Sequence, residues 1–128
     1  MDLILIADDS GTARMFVRRC LEIAGCSDAS FLEASNGNEA MVLMKEHRPD
    51  LIVTDLTMPL MDGMELLRQI SADSRLKAVP VLVVTSSANS AREQELLAMG
   101  AYAVISKPVS PAAIAKIIEP LLDREGKE

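Results

Sequence analysis

Apolar residues in this 128-residue chain fall into two alternating kinds of segment. Continuous runs such as Leu3-Ile4-Leu5-Ile6-Ala7, Leu51-Ile52-Val53-Thr54, Val81-Leu82-Val83-Val84 and Ala103-Val104-Ile105-Ser106 form the first kind. Short runs with almost no polar interruption suit strands covered on both faces, which is the situation in a parallel sheet. Phe31-Leu32-Glu33-Ala34 is more polar and predicts a strand at a sheet edge.

The second kind has helical period. Ala13, Phe16, Val17, Cys20, Leu21 and Ala24 recur at the spacing of a one-faced helix, with Gly25 as its C-terminal cap. Asn36-Gly37-Asn38 is turn chemistry, and a helix over 39–47 follows until Arg48-Pro49 ends it. A loop over 56–63 leads into a third helix reaching about Asp73. Ser90 with Glu93 has capping-box spacing, predicting a fourth helix that runs to Met99 and stops at Gly100. Ser110-Pro111 opens the last helix, which carries Ile114, Ile117, Ile118, Leu121 and Leu122 on one face. Pro120 cannot donate to the carbonyl of Lys116, so the final turn is expected to bend or fray.

Strict alternation of strand and helix predicts an α/β fold, a (βα)5 doubly wound parallel sheet with right-handed crossovers. Of the two plausible sheet orders, the flavodoxin-like order 2-1-3-4-5 sets the ends of the first and third strands side by side at the switch point. The expected domain covers residues 1–123, with 124–128 as a polar C-terminal tail too short for an output domain.

Composition removes several function classes. A net charge of −6 and a pI near 4.8 argue against a nucleic-acid surface. Apolar runs fall short of a membrane span, and the N-terminus lacks the basic region of a signal peptide, so a cytoplasmic location is expected. Cys20 and Cys26 are too far apart for a Cys-x-x-Cys pair and have no Cys/His cluster nearby. Both are expected to be reduced, Cys20 as core filling.

Chemistry enters at the strand ends. The first run stops at Asp8-Asp9, the third strand at Asp55, the fourth at Thr85 and the fifth at Lys107. In open α/β sheets that edge is where sites are built. Any one of these acids alone reads equally well as a cap or turn former. Together they repel one another, and a divalent cation relieves the repulsion. Oxygen ligands without His or Cys favour Mg²⁺. Phosphoryl transfer asks mainly for positioning and charge neutralisation. Asp55, between the other acids on the central strand, is the natural acceptor; Asp8 and Asp9 then hold the metal, and Thr85 and Lys107 meet phosphoryl oxygens. Met58, Met61 and Met64 beside this loop are expected to pack it, and His47 at a helix end to be solvated.

Asp8-Asp9-Ser10 with Thr12 and Arg14, then Asp55-Leu56-Thr57-Met58-Pro59 with Asp62-Gly63, then Thr85-Ser86, then Lys107-Pro108, resemble the motifs of the response-regulator receiver domain (CheY-like) in order and spacing. The likeness runs from Leu3 to about Leu122. It implies that Asp55 accepts a phosphoryl group from a sensor histidine kinase or phosphotransfer protein. It also implies Mg²⁺ held by Asp9, Asp55 and the Thr57 carbonyl, with Asp8 acting largely through water. Thr85 takes the role of switch hydroxyl, Lys107 that of phosphoryl-pairing lysine, and the Lys107-Pro108 peptide is expected to be cis. Thr57 and Ser87 stand where the family controls access of water to the acyl phosphate.

One position departs from the pattern. Val104 stands where the family usually has Tyr or Phe, and Tyr102, on the same strand face, is the candidate to stand in partly. Valine is stiff at χ1, so switching is expected to rely on the loop from Thr85 to Asn89.

The expected function is therefore a stand-alone receiver, a phosphorylation-controlled binding module that catalyses only its own phosphorylation and dephosphorylation. It would meet a downstream protein through the fourth helix, fifth strand and fifth helix, with no nucleic acid or membrane involved. A chemotaxis-type regulator, a relay intermediate and a receiver excised from a longer regulator all fit. An aspartyl-nucleophile phosphohydrolase of the haloacid-dehalogenase type is the alternative from another class. Thr57 stands where that chemistry wants a second acid. An FMN-binding flavodoxin shares the fold, but Asp8-Asp9 would repel its phosphate.

Overall fold

Residues 1–86 and 88–126 are described by a computed structural model, without the side chains of 124–126. Strands β1 (Leu3–Ala7), β2 (Ser30–Ala34), β3 (Leu51–Asp55), β4 (Val81–Thr85) and β5 (Ala103–Ser106) form one parallel sheet in the order β2-β1-β3-β4-β5. Helices α1 (Gly11–Leu21), α2 (Gly37–Glu46), α3 (Gly63–Ala72), α4 (Ser90–Ala98) and α5 (Pro111–Gly126) alternate with them. The expected (βα)5 architecture and order are both found, with the polar β2 at an edge.

Strand alternation divides the interior in two. Leu5, Ala7, Ile52, Val81 and Val83 face Ala40, Met44, Leu66, Leu67, Ile70 and Leu96 from α2, α3 and α4. Ile4, Ile6, Leu51, Val53, Leu82 and Val84 face Val17, Cys20, Leu21, Ile114 and Ile118 from α1 and α5. Both faces of the sheet are thus roofed, which is why its central strands need no polar side. Cys20 and Cys26 are reduced and buried in the second layer.

A side chain caps each helix. Ser10, Asn36, Asp62, Asn89 and Ser110 accept hydrogen bonds from the backbone N–H three residues on, at 2.9–3.2 Å. Two of these caps differ from expectation. The α4 cap is Asn89, one residue before Ser90, and α2 begins at Gly37 directly after Asn36. Asn and Ser cap about equally well, so neighbouring candidates are separated only by where the preceding loop ends.

Helix α1 passes into a π-turn over Glu22–Cys26, and Gly25 within it takes φ 122°, a left-handed geometry suited to the expected glycine stop. Gly100 closes α4 at φ 111°. Helix α5 does not fray at Pro120 but continues to Gly126, taking in part of the segment predicted as tail. Lys116 and Pro120 are exposed, so solvent can satisfy the carbonyl that loses its donor, while buried Ile118 and Leu121 hold the helix down. Residues 127 and 128 of the predicted tail lie outside the described residues, as does Ser87.

Candidate functional site

Ala7 pairs with Thr54 across β1 and β3, so Asp8 and Asp55 leave the sheet side by side. Asp8, Asp9 and Asp55 each offer a carboxylate oxygen, and the three atoms lie within 4.8 Å of one another. The predicted cluster therefore forms.

Its members are held differently. Asp8 is only 4% exposed. Its N–H donates to the carbonyl of Ala34 at 3.0 Å, and its Oδ1 accepts from the N–H of Ser10 at 2.9 Å. Asp55 Oδ1 accepts from the N–H of Leu56 at 2.8 Å. With each Oδ1 pinned by a backbone amide, the two Oδ2 atoms turn to one cation. Lys107 Nζ donates to Asp8 Oδ2 at 3.1 Å and to Asp55 Oδ2 at 3.3 Å. Asp9 is exposed, and among the described residues nothing hydrogen-bonds its carboxylate.

Lys107 reaches the cluster because it directly follows Ser106, the last paired residue of β5. Thr85 pairs with Ser106, and the N–H of Lys107 donates to the Thr85 carbonyl at 2.9 Å. The Lys107-Pro108 peptide is cis, as the resemblance implied. Burial works to lower the lysine pKa and is the largest single influence. The hydrogen bond to Asp8, the charges of Asp55 and Asp8 and the bond to Asp55 together outweigh it, so the ammonium is held above the ordinary lysine value.

Thr85 is buried at the end of β4, one residue past Val84, which pairs with Asp55. Thr57 is exposed in the following loop, and no hydrogen bond among the described residues joins it to the three acids. Leu56 and Met58 are buried and anchor that loop, with Met61 and Met64 packed against the same core. The methionines are thus packing residues, as expected; His47 is exposed at the end of α2.

Tyr102 lies away from the acids. Its N–H donates to the carbonyl of Val81, the first residue of β4, at 2.8 Å, whereas Thr85 is the last. Tyr102 lines a cleft with Pro80 and Leu121 at the far end of the sheet, and Val104 is half-buried against the core. Tyr102 is a bend residue ahead of β5, so the alternation that relates β5 residues does not extend to it, and it sits at the end of the sheet away from the acids.

One residue of the site carried no local signal beyond its presence in the first motif. Arg14 NH1 donates to the backbone carbonyl of Asp8 at 2.6 Å, and its Nε to Glu33 Oε1 at 2.8 Å. Nothing in the spacing of positions 14 and 33 reveals that contact.

Two carboxylates sharing an ammonium, buried Asp8 and half-buried Asp55, form with the exposed Asp9 an all-oxygen set that attracts positive charge. It suits a small, hard divalent cation better than a soft metal. Residues 4–119 match the family model for the response regulator receiver domain. The chain belongs to that family.

Among its relatives, this receiver domain is 35% identical over 121 residues to a chemotaxis protein CheY of Pseudomonas aeruginosa, covering 94% of this chain and 96% of that protein. It is 32% identical to the polar-differentiation response regulator DivK of Brucella anthropi, covering 93% of this chain and 94% of that one. Among solved structures, chemotaxis response regulator CheY4 of Vibrio cholerae superposes with a TM-score of 0.78 at 31% identity, covering 97% and 98% of the two chains. A receiver domain of a signal transduction histidine kinase from Syntrophus aciditrophicus gives 0.82 at 32%, covering 96% and 91%. The receiver is thus a signalling domain, and among its described residues no helix is long and apolar enough to cross a membrane.

Proposed function

We propose that this receiver takes up a phosphoryl group on Asp55 in a Mg²⁺-dependent reaction and thereby changes which protein it binds. The observation that carries the reading is the meeting of Asp8, Asp9 and Asp55 with the Lys107 ammonium between two of them.

An Asp55 carboxylate oxygen attacks the phosphorus of a phosphohistidine on a sensor kinase or phosphotransfer protein. The bond from phosphorus to the imidazole nitrogen breaks, the electron pair stays with the ring, and an acyl phosphate forms. Repulsion between the anionic acceptor and the anionic donor is the main obstacle, and the loose transition state leaves positioning and charge neutralisation to the protein. Mg²⁺, when bound by Asp8, Asp9, Asp55 and the Thr57 carbonyl, would supply neutralising charge and draw the phosphoryl oxygens to the acceptor.

Lys107 is within reach of Asp55 Oδ2, where it can exchange a carboxylate for a phosphoryl oxygen. Thr85, at the neighbouring strand end, supplies the hydroxyl that follows the phosphoryl group and couples its arrival to the loop beyond β4. The only chemistry the domain catalyses is its own phosphorylation and dephosphorylation, and its working place is the cytoplasm. A downstream protein reads the change at the face of α4, β5 and α5.

Incubation with Mg²⁺ and a small phosphodonor tests this. The expected result is a labile mass gain of one phosphoryl group that Asp55→Asn abolishes. No mass gain, or a gain that survives the substitution, overturns the reading; sustained turnover of phosphate esters would make the protein a phosphohydrolase instead.

A further inference from the structure

Asp9 lacks the supports that fix Asp8 and Asp55. It is exposed, and its direction depends on the peptide plane that joins it to Asp8. That plane has two handles, the Asp8 carbonyl and the Asp9 N–H. Arg14 grips the carbonyl at 2.6 Å through NH1. The same guanidinium is braced by Glu33 at 2.8 Å through Nε. Glu33 lies near the end of the edge strand β2, next to Ala34, whose carbonyl accepts the N–H of Asp8. The Arg14 side chain is 19% exposed, against 39% for Glu33. Strand β2 and helix α1 thus converge on a single peptide unit, the one that carries Asp9.

We propose that Arg14, braced by Glu33, is a positioning residue that sets the direction of the Asp9 carboxylate for the metal. The inference rests on the Mg²⁺-dependent reading above. A planar guanidinium holds two partners at a fixed angle, so rotation of the 8–9 peptide would break a charge-assisted bond. Partners one step behind metal ligands typically change metal affinity about 10–100-fold when removed.

Charge makes the test sharp, because simple Coulomb repulsion predicts the opposite sign. Arg14 is a cation close to a cation site, so its removal should tighten Mg²⁺ binding if charge alone mattered. Positioning predicts weaker binding.

The experiment titrates Mg²⁺ alone against the melting temperature of the full chain, then measures phosphoryl uptake from a small donor as a function of Mg²⁺. Arg14→Met is expected to raise the Mg²⁺ dissociation constant roughly tenfold, with uptake at saturating Mg²⁺ close to wild type. Arg14→Lys, which keeps the charge but loses the fork, should fall between the two. Glu33→Gln should weaken binding in the wild-type background and have no further effect beside Arg14→Met, because Glu33 acts through the arginine.

Unchanged or tighter Mg²⁺ binding in Arg14→Met overturns the proposal, as does a Glu33→Gln effect of equal size in both backgrounds. Should Arg14→Met fail to fold, Arg14→Lys decides, with wild-type affinity counting against it. A wild-type protein that binds no Mg²⁺ would instead sink the underlying functional reading, so the two failures are distinguishable.

Discussion

Lys107 Nζ lies 3.3 Å from Asp55 Oδ2, the oxygen of that carboxylate not engaged by the backbone amide of Leu56. The same ammonium holds Asp8 Oδ2, so one side chain serves two acids that would otherwise repel. Such an arrangement makes the lysine a structural counter-ion at rest and, in the proposed reaction, a phosphoryl partner after transfer.

Replacing Lys107 with Met should therefore affect stability and chemistry separately. Without metal, the variant should lose on the order of 1–3 kcal/mol, because buried Asp8 is left without its cation. Added Mg²⁺ should stabilise it more than wild type, since the vacancy favours the metal. The lysine pKa is raised in the folded state, so its contribution is complete below the usual value of 10.5 and is lost as pH climbs through the higher folded value. The stability gap between wild type and variant should hold from neutral pH to about pH 10 and narrow above it. Denaturant titrations across that range measure it; a gap that widens with alkalinity would contradict the assigned charge state.

Two glycines brace the loop after Asp55 unequally. A Cβ on Gly63 would run into the backbone carbonyl of Asp55 and stand 2.8 Å from Leu56 Cα, and backbone cannot step aside. On Gly37 it would meet the Met61 side chain at 2.6–2.8 Å, and a methionine can turn away. Gly63→Ala should cost about 3 kcal/mol and depress phosphoryl uptake by shifting Asp55, while Gly37→Ala should cost about 1 kcal/mol or less. Parallel urea denaturation of the two variants checks the order, which fails if they are equally destabilised.

The same loop shows what a sequence reveals. Strand ends were readable because burial on both faces demands an unbroken apolar run, and Asp8, Asp55, Thr85 and Lys107 each mark where a run stops. Their convergence followed from sheet order alone. Helix starts were less legible where two good caps stood together, as at Asn89 and Ser90. The Arg14–Glu33 pair was illegible, because it joins residues 19 apart whose contact depends on how α1 packs beside β2. Tyr102 misled for the converse reason. Alternation counts only within a strand, and β5 begins one residue after the tyrosine, at Ala103.

Cys20 is 2% exposed, and burial pushes its thiol pKa upward, against the thiolate that reacts. Native protein at pH 8 should resist a disulfide reagent at Cys20, with modification limited by opening of the α1–α5 layer. Labelling should become rapid in denaturant. Immediate modification of Cys20 in the native protein would show that this layer is looser than its packing indicates.

Leu60 is 84% exposed and adopts φ 69°, the left-handed region where a leucine Cβ crowds its own backbone. An L-residue gives up roughly 1–2 kcal/mol there. The side chain buries almost nothing, so packing offers little return. Leu60→Gly relieves the crowding at an entropic cost of about 0.5–1 kcal/mol in the unfolded chain. The net effect should be stabilisation by up to about 1 kcal/mol. Leu60→Val should act in the opposite direction, because β-branching is the least tolerated geometry at positive φ. The pair of substitutions separates backbone strain from lost side-chain contacts, since both variants shorten the side chain and only one relaxes the backbone. Equal losses in the two, read from denaturant midpoints, would mean that the Leu60 side chain contributes to folding after all.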